Sequence, residues 1–201
     1  MPHFLLDIPK PVLDRMHFLE EQDERDRQND TPQLKRLRQV PAETGMLLAI
    51  LAASAPAEQI VEIGTSGGYS ALWLSLACKQ VGAQLTTFEL LPEKAELARE
   101  TFEKAQVGDW VQLVHGDARG HLSSYEKISF CFLDAEKEMY TEFYALVAPR
   151  LVPGGLLVAD NVVSHAEDLA KFLDTARKDE QVDAVVLPVG KGLLVCRKRE
   201  G

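Results

Sequence analysis

QIVEIGTSGGYSALWL, residues Gln59–Leu74, is the stretch whose reading decides the fold. Ile60, Val61 and Ile63 run straight into Gly64, then Gly67 and Gly68, and then into the helix-forming run Tyr69–Ala77. That order is the pattern of a buried strand, a tight glycine turn and a helix N-terminus. Glycines let backbone approach a ligand closely, and the first helical turn offers unpaired N–H groups to polar or anionic atoms. The spacing is G-x-x-G-G rather than G-x-G-x-x-G, which favours a smaller adenosyl ligand over a dinucleotide pyrophosphate.

Outward from this stretch, strand and helix patterns alternate with short connections. Strands are expected at 59–63, 84–88, 110–115, 128–133, 155–160, 182–188 and 192–197, and helices at 69–80, 92–106, 117–124, 138–149 and 166–178. Alternation of Val/Ile/Leu-rich strands with helices implies an α/β fold: a doubly wound, seven-stranded, mostly parallel sheet with helices on both faces. The last two strands are joined only by Gly190-Lys191-Gly192, too short for a crossover helix, so they should form an antiparallel hairpin. Before Gln59, residues 1–55 read as an N-terminal helical cap on a single domain, 1–201. Val12, Leu13, Met16, Phe18 and Leu19 can pack, whereas the charge run EEQDERDRQND reads as a solvated helix end. After the stop signal Asn29-Asp30-Thr31-Pro32 comes a short basic piece, LKRLR at 34–38, and then the apolar helix Met46–Ala53.

Composition narrows the classes. With 201 residues, 46% of them hydrophobic and 26% charged, the chain can bury one sizeable core, and its apolar runs are too short to cross a bilayer. Met1–Lys10 does not read as a secretion signal, so a cytoplasmic location is expected. Cys78, Cys131 and Cys196 are odd in number and lie inside apolar patterns, which fits buried reduced thiols. The balance of 22 basic and 31 acidic residues, net −9, disfavours broad nucleic-acid binding but leaves room for one structured RNA substrate.

The chemistry-bearing residues fall at strand ends. Glu89 closes the second strand, 25 residues after Gly64, where an acid can accept hydrogen bonds from both ribose hydroxyls. Asp117 follows the next strand in VHGDARG and suits either an adenine amino group or the N-cap of the helix behind it. Asp134 ends ISFCFLD with Lys137 three residues on, and Asp160-Asn161 end GLLVADN. Two carboxylates and an amide are hard oxygen ligands, suited to Mg²⁺, or to Mn²⁺ or Ca²⁺, rather than to structural zinc. His115 and His165 are set aside as bases, Trp73 reads as core, and Tyr69 could pack near a cofactor.

VEIGTSGGYSALWLSLA, FELLPEKAELA, HGDA, FLDAEKEMY and LLVADNVV resemble, in order, the motifs of the metal-dependent S-adenosylmethionine O-methyltransferases, the catechol and caffeoyl-CoA type and their bacterial relatives. The resemblance covers roughly residues 40–197, and its most diagnostic part is D-A-x-K followed by D-N. It implies that Val40, Glu62, Gly64, Thr65, Ser70, Glu89, Asp117 and Ala118 line an S-adenosylmethionine site. Asp134 and Glu136 would lie close to it, Glu136 standing where the family often has Asp. It further implies that Asp134, Asp160 and Asn161 hold the metal, and that Lys137 and Asp134 are catalytic. Lys137 would take the acceptor's proton or steady its oxyanion, and a nearby cation favours the neutral amine. The family likeness also suggests a homodimer. Only VVSH separates Asn161 from the expected helix at Ala166, whereas plant caffeoyl-CoA enzymes carry a longer insertion there, so that acceptor does not follow.

The expected function is methyl transfer to a vicinal hydroxyl of a small catechol-like aromatic. A tRNA hydroxyuridine acceptor is the alternative, with LKRLR as its one compact basic cluster. A non-catalytic adenosyl-ligand-binding protein is the rival from another class, and it would not need Asp134, Lys137, Asp160 and Asn161 together.

Overall fold

The computed structural model describes residues 5, 7–29, 31–32 and 35–200. Seven strands form one sheet: β1 (Gln59–Ile63), β2 (Leu85–Glu89), β3 (Val111–His115), β4 (Ile128–Leu133), β5 (Leu151–Ala159), β6 (Val182–Leu187) and β7 (Leu193–Lys198). Their spatial order is β3-β2-β1-β4-β5-β7-β6, with β1 to β5 parallel and β7 antiparallel to both of its neighbours. The expected hairpin is therefore present. The winding direction reverses between β1 and β4, and open α/β sheets bind ligands outside the carboxyl ends of strands at that reversal.

Alternation along the strands builds two cores. Ile60, Phe130, Phe132 and Val158 face one side of the sheet, while Val61, Cys131, Leu133 and Leu157 face the other. The first side is covered by α1 (Lys10–Gln28), α2 (Ala42–Ser54), α3 (Tyr69–Val81) and α4 (Pro92–Ala105). The second is covered by α5 (Arg119–Leu122), α6 (Tyr140–Val147) and α7 (Ala170–Lys178). All three cysteines are buried and free, as their apolar surroundings imply. Among the described residues no helix is long and apolar enough to cross a membrane.

Four boundaries depart from the sequence reading. The strand expected at 155–160 begins at Leu151 and ends at Ala159. Register with β4 shifts from Ile128↔Leu151 to Phe130↔Leu156, so β5 loops out residues around Gly154, whose φ of +77° suits glycine. The helix expected at 166–178 starts only at Ala170, because Val162–Leu169 is spent in turns. The one expected at 138–149 is broken into a 3₁₀ turn at Lys137–Met139, α6, and a second 3₁₀ turn at Ala148–Arg150, where Pro149 supplies no amide hydrogen. The one at 117–124 shrinks to the single turn Arg119–Leu122. Other edges differ by a few residues at most, within the fraying of real element ends except at α2.

At the N-terminus, Val12, Met16 and Leu19 of α1 are buried as expected. The charge run behind them is not wholly solvated. Asp23 is buried, pairs with Arg27 at 2.6 Å and accepts the Gln39 amide at 3.4 Å, while Asp26 accepts the Leu37 amide at 3.0 Å. These bonds tie residues 35–40 back onto α1, so the segment lies over the carboxyl edge of the sheet. Residues 1–4 and 6, Asp30 of the stop signal, Gln33, Leu34 of the basic piece and Gly201 lie outside the described residues.

Candidate active site

A cavity of about 440 Å³ opens at the carboxyl ends of β1, β2, β3 and β4. Hydrogen bonding between neighbouring strands continues just past their ends: Asp134 N–H donates to Ile63 O at 3.0 Å, Asp160 N–H to Leu133 O at 3.0 Å, and Gly116 N–H to Glu89 O at 2.9 Å. This fixes the chemistry-bearing residues relative to one another on rigid backbone. Eleven of the thirteen expected site residues line the cavity; Glu62 and Asp160 do not.

The glycine turn forms one wall. Gly64 has φ +102°, and a Cβ there would sit 2.0 Å from the Asp134 carbonyl oxygen, so only glycine lets β1 and β4 close together at this point. Arg38, Ser66 and Asn161, three of the four non-glycine residues with positive φ among the described residues, also line the cavity. Backbone held in that sparsely populated region clusters at binding sites, where surrounding structure over-determines it. Glu89 explains Ser66: its two carboxylate oxygens accept the Ser66 amide at 2.7 Å and the Leu91 amide at 2.8 Å, clamping the turn to the end of β2. Ser66 Oγ in turn donates to Leu37 O at 2.8 Å, joining the turn to the N-terminal segment that brings buried Val40 to the wall.

Glu62 lies beneath the floor, fully buried. Its Oε2 accepts the Thr87 hydroxyl at 2.6 Å, Oε1 has no partner, and burial pushes the carboxyl up to about 7. It supports the turn from below rather than facing the cavity. Asp117 is held by Arg119, which meets it through both backbone and guanidinium, lowering the carboxyl below its usual range. This is a local turn contact on the exposed rim rather than the expected N-cap, because the N-cap position of α5 is Ala118, with no side-chain cap bond. Glu136 pairs with Arg38 at 3.0 Å across the mouth.

At the other end stand the residues expected to be catalytic and metal-binding. Asn161 Nδ2 donates to Asp134 Oδ1 at 2.8 Å. Asp160 is 1% exposed, and its Oδ1 has no hydrogen-bond partner; burial first, and the Asp134 carboxylate second, raise its pKa. Among the described residues no three His, Cys, Asp or Glu side chains gather as a metal cluster, and the group here is two carboxylates and an amide. The donor set nevertheless fits a hard divalent cation: a partnerless buried carboxylate oxygen beside a second carboxylate is the arrangement a positive charge relieves. Lys137 Nζ donates to Ala135 O at 3.0 Å, to Tyr140 Oη at 3.0 Å and weakly to Asp134 Oδ1 at 3.4 Å, while Tyr140 Oη donates to Asp160 O at 3.2 Å.

The sequence reading missed two residues. Tyr140 is fully buried and links Lys137 to the end of β5; it reads in sequence as one more apolar helix position. Lys94 lines the cavity although 8% exposed, its pKa lowered by desolvation and then by Arg38. Its signal was spacing, because Lys94, Ala98, Thr101 and Ala105 share the buried stripe of α4. Of the residues set aside, His165 sits on the exposed rim with its ring 3.0 Å from Ser164 Oγ, His115 is exposed away from the cavity, and Trp73 is buried core. Tyr69 lines the cavity with its hydroxyl on Glu20 at 2.5 Å.

A family model described as O-methyltransferase matches residues 14–199. A catechol O-methyltransferase from Mycobacterium tuberculosis is 34% identical over 151 residues, 73% of this chain and 66% of that protein. One from Niastella koreensis is 33% identical over 130 residues, 62% and 58% of the two lengths. The aligned regions thus span less than two thirds of these relatives. Among solved structures, the O-methyltransferase TomG from Streptomyces achromogenes, in complex with S-adenosylmethionine, matches with a TM-score of 0.75 at 26% identity, over 90% of this chain and 89% of its own. With the family model matched from α1 to β7, the chain belongs to the O-methyltransferase family.

Proposed function

We propose that the protein transfers the methyl group of S-adenosylmethionine to a vicinal hydroxyl of a catechol-like aromatic, with a divalent ion held by Asp134, Asp160 and Asn161. The observation that carries the metal and the acceptor together is the partnerless Asp160 Oδ1, buried beside Asp134 and Asn161 at one end of the cavity. A protein that only bound an adenosyl ligand would have no use for a buried carboxylate with an open oxygen beside Asp134 and Asn161, offset by Lys191 and Lys137 only from beyond ion-pair distance.

The clamped turn and Glu89 are the groups suited to an adenosyl moiety: the Ser66 and Leu91 amides fix the carboxylate's orientation and leave its remaining lone pairs for ribose hydroxyls. Held by Asp134, Asp160 and Asn161, a divalent ion would lower the pKa of the hydroxyl to be methylated, whose proton would pass to water. Lys137 then acts on the developing oxyanion. Its contacts to Ala135 O, Tyr140 Oη and Asp134 Oδ1 fix Nζ at that end of the cavity, and the long Asp134 contact is the one an acceptor oxygen can replace. Val40 and the segment around it wall the cavity on its N-terminal side.

The test is incubation of the protein with labelled S-adenosylmethionine, a panel of catechols and undermodified tRNA, with and without a chelator. Label passing to a catechol only when divalent ion is present supports the reading. Transfer indifferent to chelation sinks the metal role, and label passing to tRNA alone replaces the acceptor.

A further inference from the structure

Beside the Asp134–Asn161 end of the cavity lies a second hollow, of about 360 Å³, walled almost wholly by charge: Asp23, Asp26 and Arg27 of α1, Arg36 and Arg38 of the following segment, and Lys191 of the β6–β7 turn. Arg38 and Lys191 face both hollows, so the two are continuous at that lip. Lys191 is fixed next to the metal-ligand end, because its carbonyl accepts the Val163 amide at 3.2 Å and the Ser164 amide at 3.0 Å, just after Asn161.

The acids in the second hollow are already committed. Asp23 is taken by Arg27 and the Gln39 amide, and Asp26 by the Leu37 amide. Of the cations, Arg27 is spent on Asp23, whereas Arg36 donates only its Nε, to Thr31 O at 2.7 Å, and Lys191 feels the Asp160 carboxylate from beyond ion-pair distance. Arg38 pairs with Glu136, but across an exposed mouth, where such a pair is weak and easily exchanged. The hollow's four cations outnumber its two carboxylates, and Arg38 and Lys191 stand at the shared lip, so in a chain of net charge −9 this hollow is locally positive.

We infer that the methyl acceptor carries an anionic group, a carboxylate or a phosphate, that seats on Arg36, Arg38 and Lys191 while its hydroxyls face Asp134 and Asn161. The inference rests on the proposed O-methyl transfer and names the class of its substrate. Two guanidinium forks and an ammonium suit one compact anion. A polynucleotide backbone would need a wide basic surface, whereas here the neighbouring stretch of α1 presents Glu21 and Glu24 to solvent.

The experiment is calorimetric binding to the full chain loaded with S-adenosylhomocysteine and Mg²⁺, using 4-methylcatechol, 3,4-dihydroxybenzoate, a catechol bearing a phosphate, and a catechol amine. In the wild type at least one of the two acids should bind about tenfold or more tightly than the neutral catechol, and the amine more weakly still. Which acid wins separates carboxylate from phosphate. In Arg36→Gln/Lys191→Gln the acid-to-neutral ratio should collapse toward one, the neutral ligand reporting that the site is still folded. Equal binding of acid and neutral catechols in the wild type overturns the inference, as does a ratio that survives the double substitution. So does failure of all the catechols to bind while undermodified tRNA is methylated. Methyl transfer is scored separately on 4-methylcatechol and both acids: catechols that bind in the expected order but none of which accepts a methyl group would refute the parent reading and leave the anion seat standing.

Discussion

Replacing Glu62 with glutamine should change how stability depends on pH. Glu62 is completely buried, one carboxylate oxygen has no partner, and burial raises its pKa from 4.5 to about 7. Below pH 4.5 the carboxyl is protonated whether the chain is folded or not, and it costs nothing. Between 4.5 and about 7 the unfolded chain releases the proton while the folded chain keeps it, so rising pH favours unfolding. Above about 7 the folded chain carries the whole penalty. At ~1.4 kcal/mol for each pH unit across that window, the gap from 4.5 to about 7 is worth about 3 kcal/mol. Glutamine keeps the shape and the Thr87 contact but does not titrate. Denaturant melts of the two proteins, without ligand, should therefore diverge by about 3 kcal/mol in favour of Glu62→Gln between pH 4.5 and pH 8, whatever constant offset the amide introduces. The difference between the curves removes contributions from titrating groups that do not face Glu62. Parallel curves over that window would refute the reasoning.

Gly64→Ala should cost roughly 2–5 kcal/mol in a chemical melt, since it adds strain at positive φ to a clash with the Asp134 carbonyl; a loss under ~1 kcal/mol would mean that β1 and β4 separate easily. Glu89→Ala unclamps the Ser66 and Leu91 amides and should weaken S-adenosylmethionine binding by about 100-fold, read by calorimetry, while leaving metal binding in place. Tyr140→Phe removes the hydroxyl between Lys137 and Asp160 and should lower kcat about tenfold with little change in cofactor affinity; equal losses in both would point to a packing defect.

Much of this site was legible because strand-end residues are dictated by local pattern. The run from Gln59 to Leu74 fixes a strand, a turn and a helix in succession, and Glu89, Asp134 and Asp160 then fall at the corresponding edge of parallel neighbours. The hairpin was equally local, since three residues cannot span a crossover. What escaped depends on contacts distant in sequence. The looped-out segment in β5 reflects a register with β4 that no single strand encodes. Lys94 lies on the buried stripe of α4, but the cavity it lines is completed only by residues 37–40, held by Asp23 and Asp26 from a run that looks mostly solvated. Glu62 was expected at the cofactor site only from the family likeness. Strand alternation sends its side chain into the first core instead, where Thr87 meets it.

The central claim is that Asp134, Asp160 and Asn161 hold the ion on which methyl transfer depends, and a Mn²⁺ titration followed by electron paramagnetic resonance tests it most directly. One Mn²⁺ should bind per wild-type chain, competed by Mg²⁺, and none should bind in Asp160→Ala, with S-adenosylmethionine affinity retained in that variant. Stoichiometric Mn²⁺ in Asp160→Ala, or no bound Mn²⁺ in the wild type, would contradict it.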